Sequence, residues 1–185
     1  MKISCICFTG KGEETALRIC DALSDDSTSI DVWTERKNSH AHDAVHVIEK
    51  NIHAWVLDHF LMDDAIIFVG AVGIAVRLIA PQIQSKTTDP AIVAVDEGGR
   101  WAISLLSGHL GGANDLARKV AAGIGAEPIV TTATDLRGQF AVDEFAKQNG
   151  CVISDMELAK EVSSAVLGGR PVDPHEMRFT AVLCV

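Results

Sequence analysis

The sequence predicts an α/β protein built on a mainly parallel open sheet, with helices on both faces and one antiparallel hairpin strand. Short apolar runs alternate with amphipathic helical segments along the chain, a pattern typical of parallel sheets covered by helices. The length of 185 residues suits one ordinary domain with part of a second. With 48% hydrophobic residues, the chain is able to bury a sizeable core.

The predicted elements follow one another in strand–helix order. Strands are predicted at residues 2–8, 30–33, 65–69, 91–95, 102–106 and 128–131, and helices at residues 13–23, 42–59, 72–79 and from 111 or 112 onward. The strands are short apolar runs bounded by turn residues, with Cys5 and Cys7 on the same side of the first one. The helix at residues 42–59 is predicted from apolar residues that recur at helical spacing between Ala44 and Val56.

The C-terminal part of the chain has a different character. Residues 140–148 and 155–167 are predicted as helices, and residues 151–154 and 179–185 as strands. We therefore expect a domain over residues 1–138 that carries the site, followed by a small partial α/β segment over residues 139–185. Because the last strand ends with the chain, we expect a further C-terminal domain or a second copy as a partner.

Charge and cysteine content narrow the function classes. The net charge of −9 comes with no basic stripe, so nucleic acid is not an expected partner. The five cysteines form no CxxC pair, which favours reduced core thiols over a disulfide framework or a zinc site. No signal peptide is visible, and the uncharged run at residues 65–76 is shorter than the roughly 18 residues of a membrane span. We therefore expect a cytoplasmic protein with no membrane partner.

A polar turn, Ser107-Gly-His109, follows the buried strand at residues 102–106 and precedes the helix that begins near Gly111 or Gly112. A polar turn at the carboxyl end of a strand, beside a helix N-terminus, is where open α/β sheets bind ligands. This turn is the candidate site.

The residues Asp96-Glu-Gly-Gly99 lie directly between two strand-like runs and predict a hairpin. Its tip then lies at the opposite end of the sheet from His109, about 17 Å away for a strand of five residues. We therefore interpret Asp96 and Glu97, with the neighbouring Arg100, as turn residues. The turns after the strands ending at Val69 and Thr131 are expected to emerge at the same end as Ser107.

These turns complete the list of candidate binding residues, which are Gly70, Gly73, Arg77, Gly108, Gly111, Gly112, Asn114, Thr131, Thr132, Asp135 and Arg137. Gly111 and Gly112 present backbone N–H groups to an anion or oxyanion, or they permit close packing of helix on strand. Arg77 and Arg137 are candidate clamps for substrate carboxylates. The Gly70-x-x-Gly73 pair lacks the third glycine of a dinucleotide fingerprint.

His109 and Ser107 are the candidate catalytic residues. A histidine beside a helix N-terminus is suited to move protons near neutral pH, and it is equally consistent with a structural histidine. Leu105 stands where a nucleophile elbow requires glycine, so Ser107 is either a weak nucleophile candidate or a turn serine. His42, His46 and His53 fall on one side of the predicted helix without a completing ligand, so a solvated helix edge is favoured over a metal site.

Four segments resemble the cobalt-precorrin-5A hydrolase (CbiG) family of anaerobic cobalamin biosynthesis. They are Gly73-Ile-Ala-Val-Arg-Leu-Ile-Ala-Pro81, Thr88-Asp-Pro-Ala-Ile-Val-Ala-Val-Asp-Glu97, Ile103-Ser-Leu-Leu-Ser-Gly-His-Leu-Gly-Gly-Ala-Asn114 and Thr131-Thr-Ala-Thr-Asp135. The resemblance runs from about residue 65 to about residue 167, and family members usually continue through a further C-terminal domain.

The resemblance implies hydrolytic opening of the δ-lactone of cobalt-precorrin-5A, with release of acetaldehyde, to give cobalt-precorrin-5B. The partner is then a cobalt-corrinoid small molecule, and no separate cofactor is implied because the cobalt arrives within the substrate. Two alternatives remain. One is a non-catalytic corrinoid-binding or scaffold module that requires the further domain. The other is an unrelated nucleotide-binding protein, which requires a phosphate at Gly70–Gly73.

Overall fold

This computed structural model describes residues 1–35, 44–49, 51–132, 151–153, 155–168 and 182–184. The chain divides into two compact units, Met1–Val130 and Thr131–Val185. The predicted boundary after residue 138 lies outside the described residues and stays a prediction.

The first unit is a seven-stranded sheet in the order β3-β2-β1-β4-β5-β6-β7. The strands are β1 Lys2–Cys7, β2 Ser29–Thr34, β3 Val45–Val47, β4 Ala65–Val69, β5 Ala91–Val95, β6 Trp101–Leu106 and β7 Glu127–Ile129. The β5–β6 pair is antiparallel, and the other neighbouring pairs are parallel. The predicted fold class is confirmed.

Helices cover both faces of this sheet. They are α1 Gly10–Leu23, α2 Ile52–Met62, α3 Val72–Ile79 and α4 Ala113–Ile124, with a 3₁₀ turn at Ala80–Gln82. One buried cluster joins α1 and α4 to the side chains of Cys5 and Cys7, which do share a face as the alternation predicts. The other cluster joins α2 and α3 to the opposite face, through residues such as Trp55.

The predicted helix at residues 42–59 is wrong in its first half. Residues Val45–Val47 form β3, which pairs with β2, and the helix begins only at Ile52. The side chain of Asn51 caps the helix by accepting the His53 amide at 2.8 Å. The apolar residues of the short strand and of the following helix together gave one continuous helical pattern. Periodicity alone does not distinguish a short β-branched strand from the start of a helix. His46 therefore lies on a strand and packs against Trp33, apart from His53; His42 lies outside the described residues.

The hairpin at Asp96–Gly99 is confirmed. Val95 pairs with Ala102 next to the turn, and Ile92 pairs with Leu106 at the far end of β5. The register shifts by one residue there, because Val93 pairs with Ser104 and leaves Leu105 as a bulge. The carboxyl end of β6 therefore lies beside the start of β5.

The second unit contains β8 Cys151–Ile153, α5 Met156–Leu167 and β9 Val182–Cys184. The two strands pair antiparallel, and Ala159 and Val162 of the helix are buried. The predicted helix at residues 140–148 lies outside the described residues. In neither described unit does any helix combine the length and the apolar character needed to cross a membrane.

A polar cluster of buried Ser4 and Asp63 with half-buried His59 and exposed Lys2 ties the end of α2 to β1. The Ser4 hydroxyl donates to Asp63 Oδ2 at 2.7 Å, and Lys2 Nζ lies 2.8 Å from Asp63 Oδ1. Since a carboxylate oxygen only accepts, His59 Nδ1, 2.7 Å from Oδ2, donates to it as well. Burial by itself raises the pKa of the Asp63 carboxyl, but these bonds outweigh it and hold that pKa below its usual value.

We predict that Asp63→Asn lowers the free energy of unfolding by about 3 kcal/mol, because it leaves buried donors without their charged acceptor. Since folding lowers the pKa of Asp63, its contribution is complete above about pH 4 and is lost as the pH falls further. Urea unfolding of both proteins from pH 2 to 8 should show a constant difference above about pH 5 and a shrinking one in acid. Asp21→Asn on the exposed side of α1 is the control. An equal loss in both variants contradicts this role for Asp63.

Candidate functional site

The turn between β6 and α4 is closed by its own backbone. The amide of Ala113 donates to the carbonyl of Ser107 at 3.1 Å, and the amide of Gly112 donates to the carbonyl of His109 at 3.0 Å. A third bond runs from the amide of Asn114 to the carbonyl of Gly108, at 3.0 Å. These bonds satisfy first-turn N–H groups that a helix otherwise leaves without partners.

Ser107 is strained and its hydroxyl is unsatisfied. Its φ of 58° makes it the non-glycine residue with positive φ among those described, a conformation that is costly for an L-residue. Its Oγ is buried and has no hydrogen-bond partner among the described residues. A buried hydroxyl without a partner costs roughly 1–3 kcal/mol, so both features favour an interaction that a bound molecule completes.

The glycines of the turn are required by close approach. A Cβ at Gly111 would lie 2.4 Å from Ser107 Cβ and 2.8 Å from the Ser107 carbonyl oxygen. Gly112, which caps α4, has a left-handed φ of 85°. Gly111 is therefore required by its close approach to Ser107, and Gly112 by its left-handed backbone conformation.

The backbone bonds also decide which amide remains for an anion. The Gly112 N–H donates to the carbonyl of His109, so our expectation that it binds an oxyanion is wrong. The Gly111 N–H has no acceptor among the described residues. His109 is half-buried and stands between Ser107 and Gly111 in the chain. The turn thus combines a hydroxyl, an imidazole and a backbone donor, which suits acid–base chemistry on a carbonyl group.

Sequence reasoning missed one neighbour of this turn. The carbonyl oxygen of Asp89 lies 3.4 Å from the position of a Cβ on Gly111. The Asp89 carboxylate is buried and accepts the amides of Gln84 and Ser85 at 3.1 Å, which fixes its loop. The available signal was the hairpin itself, because antiparallel pairing places the residues before β5 beside the end of β6.

Gly70, Gly73 and Arg77 do not join this turn, contrary to our expectation. Val69, at the carboxyl end of β4, pairs with Val95, which pairs with Ala102 at the start of β6. Gly70 and Gly73 therefore lie at the hairpin end of the sheet, a strand length of about 17 Å from Ser107. The guanidinium of Arg77 lies beside Gly73, 3.6 Å from the position of a Cβ there. The expectation requires β4 and β6 to be parallel, whereas the hairpin makes β6 antiparallel to both β5 and β4.

The hairpin end has polar contacts of its own. Thr9 Oγ1 donates to Glu97 Oε2 at 2.8 Å and accepts the amide of Gly12 at 2.9 Å. Thr15 Oγ1 donates to the carbonyl oxygen of Glu97 at 2.8 Å. As the hairpin predicted, Glu97 and Asp96 serve the turn and α1 and do not reach His109.

The remaining predicted binding residues follow β7. Thr131 and Thr132 fall in the second unit, Thr131–Val185, and Asp135 and Arg137 lie outside the described residues. Their part in the site stays a prediction.

Two other features of the first unit are not hydrolytic sites. The buried Ser4, His59 and Asp63 resemble a catalytic triad in composition, but Ser4 and Asp63 both contact the same ring nitrogen, Nδ1. A triad requires the two partners on opposite ring nitrogens. An open pocket of about 520 Å³ is lined by Asp25, Asp26 and Asp64 together with Lys2 and Met1, and its described lining includes no histidine or cysteine. Across the described ranges, no group of three or more His, Cys, Asp or Glu is placed to hold a metal ion.

The fold and the turn define a class: an open α/β protein with a candidate small-molecule site at the carboxyl end of its antiparallel strand. The model of the family described as "Cobalamin synthesis G N-terminal" matches residues 54–135, which contain the whole turn. A second, described as "Cobalamin biosynthesis central region", matches residues 140–175. The resemblance to the cobalt-precorrin-5A hydrolase family is thus confirmed over the stretches that match the models of its N-terminal and central regions.

Curated relatives agree with these matches. The chain is 48% identical over 103 residues to the cobalt-precorrin-5A hydrolase of Salmonella typhimurium, over 56% of this chain and 29% of the relative. It is 45% identical over 102 residues to the enzyme of the same name from Priestia megaterium, over 55% of this chain and 27% of the relative. The matched stretch thus spans less than a third of either relative.

A solved structure supports the fold. It is a crystal structure from Sulfolobus solfataricus, described as a cobalamin biosynthesis protein G homolog, with a TM-score of 0.55 and 24% identity. The match covers 90% of this chain and 46% of that chain.

We predict opposite effects for one substitution at two glycines. Gly111→Ala should lower the free energy of unfolding by about 2 kcal/mol, because its Cβ meets the backbone and Cβ of Ser107. Gly73→Ala should stabilise by up to about 1 kcal/mol, because it lies in helix α3 with only the end of the Arg77 side chain, at 3.6 Å, near its Cβ. Chemical denaturation measures both. A neutral Gly111→Ala would contradict the close packing of the turn.

Proposed function

We propose that this chain carries the residues for hydrolytic opening of the δ-lactone of cobalt-precorrin-5A, with release of acetaldehyde, in anaerobic cobalamin biosynthesis. The observation that carries the proposal is the family match over residues 54–135, because it includes every residue of the strained turn from Ser107 to Asn114. The names of the two bacterial relatives indicate hydrolysis of cobalt-precorrin-5A, and the lactone opening and acetaldehyde release are what the family resemblance implies. Cobalt enters as part of the substrate.

The reaction requires one water and two proton transfers. Water adds to the lactone carbonyl and the ring C–O bond breaks, which gives a carboxylate and a hydroxyl group. That hydroxyl then loses its proton as its carbon separates from the macrocycle as acetaldehyde, and the macrocycle takes up a proton. A base, a donor to the carbonyl oxygen and a proton relay are the groups that the protein must provide.

The turn offers a candidate for each of these tasks. We assign the base, and the relay of the second proton, to His109. The unpartnered hydroxyl of Ser107 orients the water or the lactone. The Gly111 amide, which has no acceptor among the described residues, donates to the carbonyl oxygen as it becomes negative. The strain at Ser107 is then retained because it aims this hydroxyl.

Some of the predicted binding residues lie outside the proposed site. Gly70, Gly73 and Arg77 belong to the other end of the sheet and take no part in it. Arg137, Asp135, Thr131 and Thr132 remain proposed contacts to the substrate.

A second candidate function is a corrinoid-binding or scaffold module that acts only when joined to a further domain. The outer face of α2 favours it, because Leu57, Leu61 and Met62 are exposed apolar side chains, with Met62 73% exposed. Apolar faces of this kind often contact a partner. The two functions differ in whether this chain alone releases acetaldehyde.

We predict that the purified chain, incubated anaerobically with cobalt-precorrin-5A, releases acetaldehyde. His109→Ala should lower kcat by at least about 100-fold, because it removes the base. Ser107→Ala should lower kcat roughly tenfold while leaving the protein as stable or slightly more stable, since it removes an unsatisfied hydroxyl. His53→Ala, at an exposed position of α2, is the matched control and should keep full activity.

Two outcomes contradict the proposal. If His109→Ala retains wild-type kcat, the turn is not the hydrolytic site. If the chain releases acetaldehyde only after the part of the Salmonella relative outside the matched stretch is added, the module function is correct. Isothermal titration with cobalt-precorrin-5A then measures whether this chain binds the corrinoid by itself.

A further inference from the structure

The side chains of Ser104 and Asn114 join β6 to the first turn of α4. Ser104 Oγ donates to Asn114 Oδ1 at 2.7 Å. Asn114 is only 3% exposed, so its amide has little surface to offer a substrate. Ser104 lies on the sheet face where Ala102 packs with buried apolar residues of α4 such as Ala117. A serine in such surroundings needs a polar partner, and Asn114 provides it.

Asn114 also holds Gly108 from two sides. Its backbone amide donates to the Gly108 carbonyl at 3.0 Å. Its Oδ1 would lie 2.7 Å from a Cβ on Gly108, so the side chain packs directly against the backbone of the turn. The path of the chain through Gly108 sets where His109 begins, because the two residues are bonded in sequence.

The bulge in β6 determines which of its side chains face α4 next to the turn. Ala102 and Ser104 face α4, and regular alternation would turn Leu106 to the same face. The extra residue reverses this, so Leu105 and Leu106 both pack on the α2–α3 side. Ser104 is therefore the last β6 side chain directed toward α4, immediately before the turn.

We propose that Ser104 and Asn114 form a positioning pair for His109, and that Asn114 does not contact the substrate. The proposal rests on the function proposed above, since it assigns the pair a role in the same site. Ser104 fixes the amide of Asn114, Asn114 fixes Gly108, and Gly108 fixes the backbone from which His109 projects. Positioning of this kind governs catalysis because small displacements of an acid–base group lower the rate strongly.

The test combines a spectroscopic measurement with kinetics on the full chain. The imidazole resonances of His109, assigned by their loss in His109→Gln, are followed by NMR through a pH titration. Ser104→Ala and Asn114→Ala should both displace these resonances, and Ser104→Thr, which keeps the hydroxyl, should restore them. Thr15→Val is the matched control, because it removes a buried hydroxyl bonded to the Glu97 carbonyl at the other end of the sheet.

In the acetaldehyde assay, Ser104→Ala should lower kcat roughly tenfold with KM unchanged, the pattern of an interaction expressed only in the transition state. Ser104→Thr should recover most of this loss, and Thr15→Val should lose none. A raised KM with unchanged kcat in Asn114→Ala would show direct substrate contact and overturn the proposal.

The proposal would also be overturned if Ser104→Ala displaced the His109 resonances no more than Thr15→Val does. The NMR result does not depend on turnover. A wild-type chain without activity therefore defeats the proposed function, while the NMR measurement still decides whether the pair positions His109.

Discussion

Strand β6 runs against β5, and this antiparallel pairing decides which loops can meet. The chain reverses at Asp96–Gly99, so the end of β6 returns to the level at which β5 begins, with Ile92 opposite Leu106. The turn that follows β6 is thereby placed beside the Asp89 loop and away from the carboxyl ends of β1, β4 and β5. A β6 strand parallel to its neighbours would instead have brought Ser107 to the same end of the sheet as Gly70.

The features of the turn follow from this placement. A bulge at Leu105 directs the Leu106 side chain away from α4. The backbone of Ser107 then takes a left-handed conformation. Gly111 packs so closely against Ser107 that there is no room for a side chain at position 111. Strain, a buried hydroxyl without a partner and tight glycine packing thus occur within five residues. Such costs persist where surrounding structure enforces them, and they concentrate at functional sites.

Much of the fold was predictable because its signals are local. The bounds of β4, β5 and α3 agree with the apolar runs and the proline that follows α3, and the Asp-Glu-Gly-Gly turn identified the hairpin. The first half of the helix predicted at residues 42–59 was wrong because a three-residue strand has too few residues to show its own period. At the site, the sequence indicated Ser107 and His109, and the hairpin could have indicated the neighbouring Asp89 carbonyl. The bond of Ser104 to Asn114 depends on the irregular register at the end of β6, which the apolar run at residues 102–106 does not show.

The central claim is that the corrinoid binds at the Ser107–Asn114 turn and not at the opposite end of the sheet. Amide hydrogen exchange of the His109→Ala chain, with and without cobalt-precorrin-5A under anaerobic conditions, tests it most directly. We predict that the substrate slows exchange at residues 107–112 and in the loop around Asp89, and leaves residues 70–73 unchanged. Protection confined to residues 70–73 and the Thr9–Gly12 turn would contradict the account and place the ligand at the carboxyl ends of β1 and β4.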